Sequence, residues 1–286
     1  MPAVQTARLK QLSASSAGYR DPLQCIDWQS LDTAGCWLPD AALSLYGLPE
    51  YDALAPVVRR RLSQYEFINT LCCGLWLESL FLQRLAQELH SGMARAEYEY
   101  VLHQVREESG HSLMFLRVIE ASGLPLPEGA WRCPALTGAV ARRAPVKGDF
   151  FRLAMLIGEH VPDTFNRWLR RQAGVHPVVA QICTVHVVDE ARHIAYARSG
   201  LERPSPVCGA VKRRMLSVSA RVLLARLARL FYFPSARFYE LAGLDDGAAW
   251  RRKALANPAR ARFVEERLRP TAKLLGSYGL HAPASS

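Results

Sequence analysis

Between about residues 55 and 200 four long stretches of helical period follow one another, set apart by glycine and proline. In the first stretch Leu71, Leu75, Leu82, Leu85 and Leu89 recur at the spacings of one helix face. The second runs over about 95–122 and stops at Gly123, Pro125 and Pro127. The third covers about 148–173, with a kink expected at Pro162. The fourth opens at His176-Pro177, where proline suits a first turn, and continues to Gly200. No run of alternating residues reads as a strand, and no internal repeat is evident. Long consecutive helices, each with an apolar face, bury those faces on one another, so the pattern predicts an all-α bundle.

The flanks extend this plan. Pro22, Pro39, Pro49, Trp28 and Trp37 punctuate residues 1–54 without a sustained period, which predicts an arm packed on the body. After a break at Pro204 and Pro206, three helical stretches near 209–232, 235–255 and 259–276 follow, so 55–286 is read as one domain with additional C-terminal helices. Half of the 286 residues are hydrophobic and 22% are charged, a balance that excludes disordered and low-complexity classes. No apolar run of about 18 residues occurs, so a membrane-spanning helix is excluded and no membrane partner is expected. The nearest candidate, 215–234, carries Arg221, Arg226 and Arg229. The N-terminus lacks the apolar core of a secretory leader, and a cytoplasmic location is expected.

Seven cysteines (Cys25, Cys36, Cys72, Cys73, Cys133, Cys183 and Cys208) form no CxxC pair, so reduced and mostly buried thiols are expected. Charge is uneven. Residues 203–286 hold 16 Lys or Arg against 5 Asp or Glu, whereas 1–202 hold 20 against 21. A solvated basic surface explains this more simply than nucleic-acid binding, because no zinc finger, RNP motif or phosphate loop accompanies it.

The chemistry lies on the helices. His186, Glu190 and His193 follow the order H-x3-E-x2-H, and steps of four and three return all three to one stripe about 60° wide. Val179, Ile182 and Ala197 keep them company, which points the stripe inward. Glu108 and His111 form a second E-x2-H on the face of Val101, Phe115 and Val118, with Glu107 turned about 100° away. Glu78 sits within the leucine seam of the first helix, and Glu159 within an equally apolar part of the third. An unpaired carboxylate at either place would cost several kcal/mol or take a proton. One Glu from each of two helices and E-x2-H from each of two others mark a ferritin-like dinuclear carboxylate site, and such donors suit iron or manganese. Asp189 is a candidate partner for a ligating imidazole on a neighbouring helix.

These residues carry a resemblance. The chain resembles the diiron N-oxygenases typified by p-aminobenzoate N-oxygenase, the arylamine oxygenases. The similarity includes Tyr19-Arg20-Asp21-Pro22, Asp27-Trp28, Leu45-Tyr46-Gly47 and Leu75-Trp76-Leu77-Glu78. It continues through Glu108-Ser109-Gly110-His111 with Met114-Phe115, Gly158-Glu159, and the segment from His186 to His193. The resemblance implies a metal set of Glu78, Glu108, His111, Glu159, His186, Glu190 and His193, the extra histidine being His186. It implies two non-haem iron ions, O2 as co-substrate and an external electron donor. The implied reaction takes a small-molecule amine to hydroxylamine, nitroso or nitro products in secondary metabolism, in a homodimer. The chain departs from the family in a short connection between the second and third helices.

Two alternatives stay open: a diiron hydroxylase or oxidase acting on another small molecule, and a ferritin-like ferroxidase or iron-handling protein. Arg106, Arg192 and Tyr65 are candidate anchors for a substrate carboxylate, although each has a ready structural role.

Overall fold

The computed structural model describes residues 3–143, 148–201 and 209–280, and every regular element among them is helical. In chain order these are α1 (Ala3–Ser16), α2 (Pro22–Cys25), α3 (Pro49–Asp52), α4 (Pro56–Glu88), α5 (Arg95–Ser122) and α6 (Ala135–Arg143). They are followed by α7 (Asp149–Leu169), α8 (Pro177–Leu201), α9 (Ala210–Tyr232), α10 (Ala236–Leu241), α11 (Gly247–Ala256) and α12 (Pro258–Ser277). The breaking residues Pro204 and Pro206, and Cys208, lie outside the described residues.

Local chemistry sets the ends of the long helices. Proline opens α4, α8 and α12, where its missing N–H has no intrahelical partner to lose. His176 Nδ1 accepts the Val178 N–H at 3.2 Å, capping the start of α8. Gly123 ends α5 with φ of 60°, the left-handed conformation that a residue with a Cβ avoids. Pro162 lies inside α7, as the sequence requires.

The four long helices form a ferritin-like bundle. α7 packs along α8, α4 along α5, and α5 meets α8. The seam residues Leu71, Leu75 and Leu85 are buried, as are Val101, Phe115 and Val118 on α5. Outside this core, α9 lies on α4 and α7, α12 lies on α7 and α9, and α1 lies against α5 and α8. One buried cluster runs through all of them from Leu9 to Leu280.

Four features differ from the sequence reading. The N-terminal segment begins with a 14-residue helix, α1, whose small and polar residues give it little apolar period; it buries Leu9, Ser13 and Ser16. The stretch near 235–255 is two helices, because Asp246 adopts φ of 49° and caps α11 by accepting the Ala249 N–H. The connection between α5 and α7 contains the short helix α6. Cys25 and Cys36 are exposed, while Cys72, Cys73 and Cys183 are buried.

Candidate metal centre

Each of the four long helices delivers one inward carboxylate to the same level of the bundle. Glu78 comes from α4, Glu108 from α5, Glu159 from α7 and Glu190 from α8, and all four are buried. His111 stands one turn beyond Glu108, while His186 and His193 flank Glu190; all three are buried too. Two overlapping groups result, Glu78-His111-His186-Glu190 and Glu108-His111-Glu190-His193, with the donor atoms in each within 4.8 Å of one another. His111 and Glu190 belong to both groups. Glu159 falls outside them, and it borders the same cavity as Glu78 and His186.

The distances describe donors facing donors. His111 Nδ1 lies 3.4 Å from Glu190, 3.6 Å from Glu108 and 3.7 Å from Glu78. His193 Nδ1 lies 3.2 Å from Glu108 and 3.3 Å from Glu190. His186 Nε2 lies 3.5 Å from Glu190 and 3.7 Å from Glu78. Glu78 Oε2, Glu108 Oε2, Glu159 Oε1, both Glu190 oxygens, His111 Nδ1 and His193 Nδ1 are buried without a hydrogen-bond partner. Native interiors tolerate few such atoms, and here they converge on one place. A pair of cations shared among them would satisfy all of them, so the residues fit a dinuclear metal.

The electrostatics agree. Burial pushes the Glu159 carboxyl well above the usual range, and the like charges of Glu190, Glu108 and Glu78 push it further. Glu108 is raised by burial and by Glu78. Burial also acts to raise Glu78, but the facing imidazoles of His111 and His186 outweigh it and draw the carboxyl down to about 2. His111 and His193 are held well above the ordinary imidazole value against the effect of burial, by Asp189 and by Glu108 respectively, together with the other carboxylates around them. A dry enclosure of four carboxylates demands positive charge.

A second set of residues grips the two histidines from behind. His111 Nε2 is 3.2 Å from Asp189 Oδ2, and His193 Nε2 is 2.9 Å from Glu107 Oε2. Each acid directly precedes the metal-facing Glu of its own helix and reaches the histidine of the opposite one. Arg192 ties the two acids together, donating to both Asp189 and Glu107. Ser16, at the end of α1, donates its hydroxyl to Glu107, and Arg106 donates to the Ser16 carbonyl at 2.8 Å.

Asp189 thus lies beside the imidazole of His111 on the neighbouring helix. Glu107 is the residue that the sequence reading passed over: it is turned from the inner stripe of α5, yet that turn aims it at α8 and α1. Its repeat of position (acid, Glu, two residues, His) in both Glu107–His111 and Asp189–His193 was the available signal. Arg106 and Arg192 serve this scaffold, and Tyr65 donates to the Pro125 carbonyl at 3.2 Å.

Beside Glu78, Glu159 and His186 lies a cavity of about 30 Å³, walled by Leu77, Phe81, Phe115 and Phe231. That is room for about one water-sized molecule. Gly158 permits the close wall: a Cβ there would stand 2.5 Å from the Phe81 ring. Asn166 lies 3.3 Å from His186 Nδ1 and orients that ring with Nε2 toward the carboxylates.

Comparison with known proteins places this arrangement. The family described as P-aminobenzoate N-oxygenase AurF matches residues 3–279. An uncharacterized protein of Mycobacterium bovis is 27% identical over 231 residues, covering 77% of this chain and 67% of that protein. An uncharacterized protein of Mycobacterium tuberculosis matches at the same 27% identity and the same coverage. Among solved structures, a point variant of an R2-like ligand-binding oxidase with an aerobically reconstituted Mn/Fe cofactor aligns with 98% of this chain and 87% of its own. Its TM-score is 0.43 at 15% identity, a similarity that assigns no residue.

Proposed function

We propose, since this chain belongs to the P-aminobenzoate N-oxygenase AurF family of dinuclear-metal oxygenases, that it is an O2-dependent diiron monooxygenase that oxidises an amine nitrogen. The observation that carries this reading is the convergence of seven buried ligand atoms without a hydrogen-bond partner, drawn from four helices. Oxygen and imidazole donors without thiolate suit iron. Glu78, Glu108, His111, Glu159, His186, Glu190 and His193 would hold the two ions. When bound, that pair supplies the reduction of O2 and delivery of an oxygen atom to nitrogen, giving a hydroxylamine and, on repetition, nitroso or nitro products.

The chain's own residues prepare the site for this. Asp189 and Glu107 accept the Nε2 protons of His111 and His193, which fixes the tautomer and turns both Nδ1 lone pairs inward. Arg192 keeps those two acids ionised and in place. Phe81, Phe115 and Phe231 exclude bulk water, which strengthens each electrostatic interaction within. An external reductant supplies electrons in this scheme, since the sequence carries no flavin or nicotinamide fingerprint. The reading includes a role in secondary metabolism and a homodimer.

The test is reconstitution with ferrous iron, metal analysis, and a single turnover with an arylamine under O2. About two irons per chain and a product one oxygen heavier are expected. One zinc per chain would overturn the metal assignment. Consumption of O2 with the amine unchanged would return the iron-handling reading, and a hydroxylated carbon would point to the hydroxylase.

A further inference from the structure

Helix α9 is apolar on two opposite faces, and the bundle covers one of them. Ala220, Leu224, Leu227, Ala228 and Phe231 are buried against the core. On the other side Val211, Met215, Val218 and Val222 stand 75%, 66%, 43% and 48% exposed. Steps of four, three and four keep these residues within a stripe about 60° wide, directly opposite the buried face. Four large apolar side chains in one exposed line are a contiguous patch of the kind that marks an interaction surface.

The surroundings of the stripe select its partner. α9 carries six Lys or Arg and no Asp or Glu. Arg214 and Arg221 flank the stripe on one side, Arg226 flanks the other, and Arg229 closes its end. Lys212 is engaged with Asp149. Arg213, Arg214 and Arg221 also line a basic depression with Gly279. Two copies of this face set against each other would oppose arginine to arginine, which disfavours a symmetric pairing. An apolar stripe between cationic margins instead complements a surface that is anionic outside and apolar beneath. No described helix is long and apolar enough to cross a membrane, so such a helix would lie in the surface plane.

A second observation lies on the same face. Val218, Val222 and Arg226 also border a cavity of about 370 Å³ between α4, α6, α7 and α9, within the range of small-molecule sites. Its walls are apolar, with Arg84 as the other charged residue. Leu77, Phe81 and Gly158 separate it from the small cavity beside Glu78 and Glu159, because they border both.

We propose that α9 docks this protein on an anionic lipid surface, placing the mouth of the apolar cavity against the bilayer. The docking stands independently of the reaction proposed above. The cavity deepens that reading by bringing an apolar substrate dissolved in lipid to within one wall, formed by Leu77, Phe81 and Gly158, of the cavity beside the metal ligands.

The test uses the full chain, sedimented with vesicles of phosphatidylcholine alone or with about one third phosphatidylglycerol. At least tenfold stronger binding to the anionic vesicles is expected, falling steeply between about 0.1 M and 1 M salt. Two variants are compared, each checked for helicity: Val211→Ser with Met215→Ser, Val218→Ser and Val222→Ser, and Arg214→Glu with Arg221→Glu and Arg226→Glu. Both should lose at least tenfold in binding. The charge variant alters exposed positions and decides the question if the serine variant fails to fold. Equal binding to neutral vesicles, no binding, or binding unchanged in the folded variants would overturn the proposal. A wild-type dimer that becomes monomeric in the serine variant would assign the face to a second copy, and duplex DNA binding without vesicle binding would assign it to nucleic acid; either result overturns the proposal.

Discussion

His186 and Glu78 face one another across the donor cluster, and they differ in what their loss removes. His186→Ala takes away a neutral donor whose ring is already held by Asn166. The helix should keep its circular dichroism, with iron occupancy reduced or altered and most O2-driven amine oxidation lost. Glu78→Ala removes an anion from a site built on negative charge and should lower iron binding more severely. Full activity in His186→Ala with two irons bound would contradict this. The sequence made these residues legible, because helical spacing alone puts Glu108 with His111 and His186 with Glu190 and His193 on common faces. Glu107 was not legible by that rule. Its rotation about the helix takes it off the inner stripe, and what it meets there depends on how α8 and α1 are placed.

Among the helices, the contact of α7 with α12 contains a group that titrates. His160 Nδ1 lies 2.8 Å from the Thr271 hydroxyl. Burial, with the charges of Arg167 and Arg198, lowers the imidazole from 6.5 to about 4. The unfolded chain takes up this proton near its ordinary value, whereas the folded chain resists it until about 4. The neutral imidazole therefore contributes stability above 6.5 that is progressively lost as pH falls toward 4. At most about 3 kcal/mol is involved. In metal-stripped protein, His160→Gln should flatten the acid side of the stability curve from urea unfolding; an unchanged slope would show that other groups dominate it. At this scale the long helices were readable from their period and their Gly or Pro ends. The exceptions have physical causes: α1 has few apolar residues to show a period, and the break before α11 rests on one left-handed Asp246.

The molecule as a whole is tied by polar contacts that no local pattern announces. Glu66 on α4 is buried, and it accepts the Ser44 N–H at 2.8 Å and the Ser44 hydroxyl at 2.6 Å. Arg260 on α12 reaches it at 3.4 Å and donates to the Ala42 and Tyr232 carbonyls. Residues about 190 apart in sequence thus share one buried ion pair. Removing one partner strands the other, so Glu66→Ala should cost about 3–5 kcal/mol. Thermal unfolding checks this, and a loss under about 1 kcal/mol would show that water satisfies the arginine. Pairing of copies is a separate question, and light scattering at micromolar concentration should give a dimer.

The hydroxyl of Ser16 rests on Glu107, and Glu107 holds His193. A chain of contacts thus joins the centre to the amino-terminal segment, and thermodynamic reciprocity makes any coupling through it act both ways. Iron should then slow proteolytic clipping at residues 17–21, about fivefold or more for a coupling of ordinary size. Clipping at equal rates with and without iron would mean that the segment closes on its own account. The first residues of the chain would otherwise report, from the outside, whether the interior is loaded.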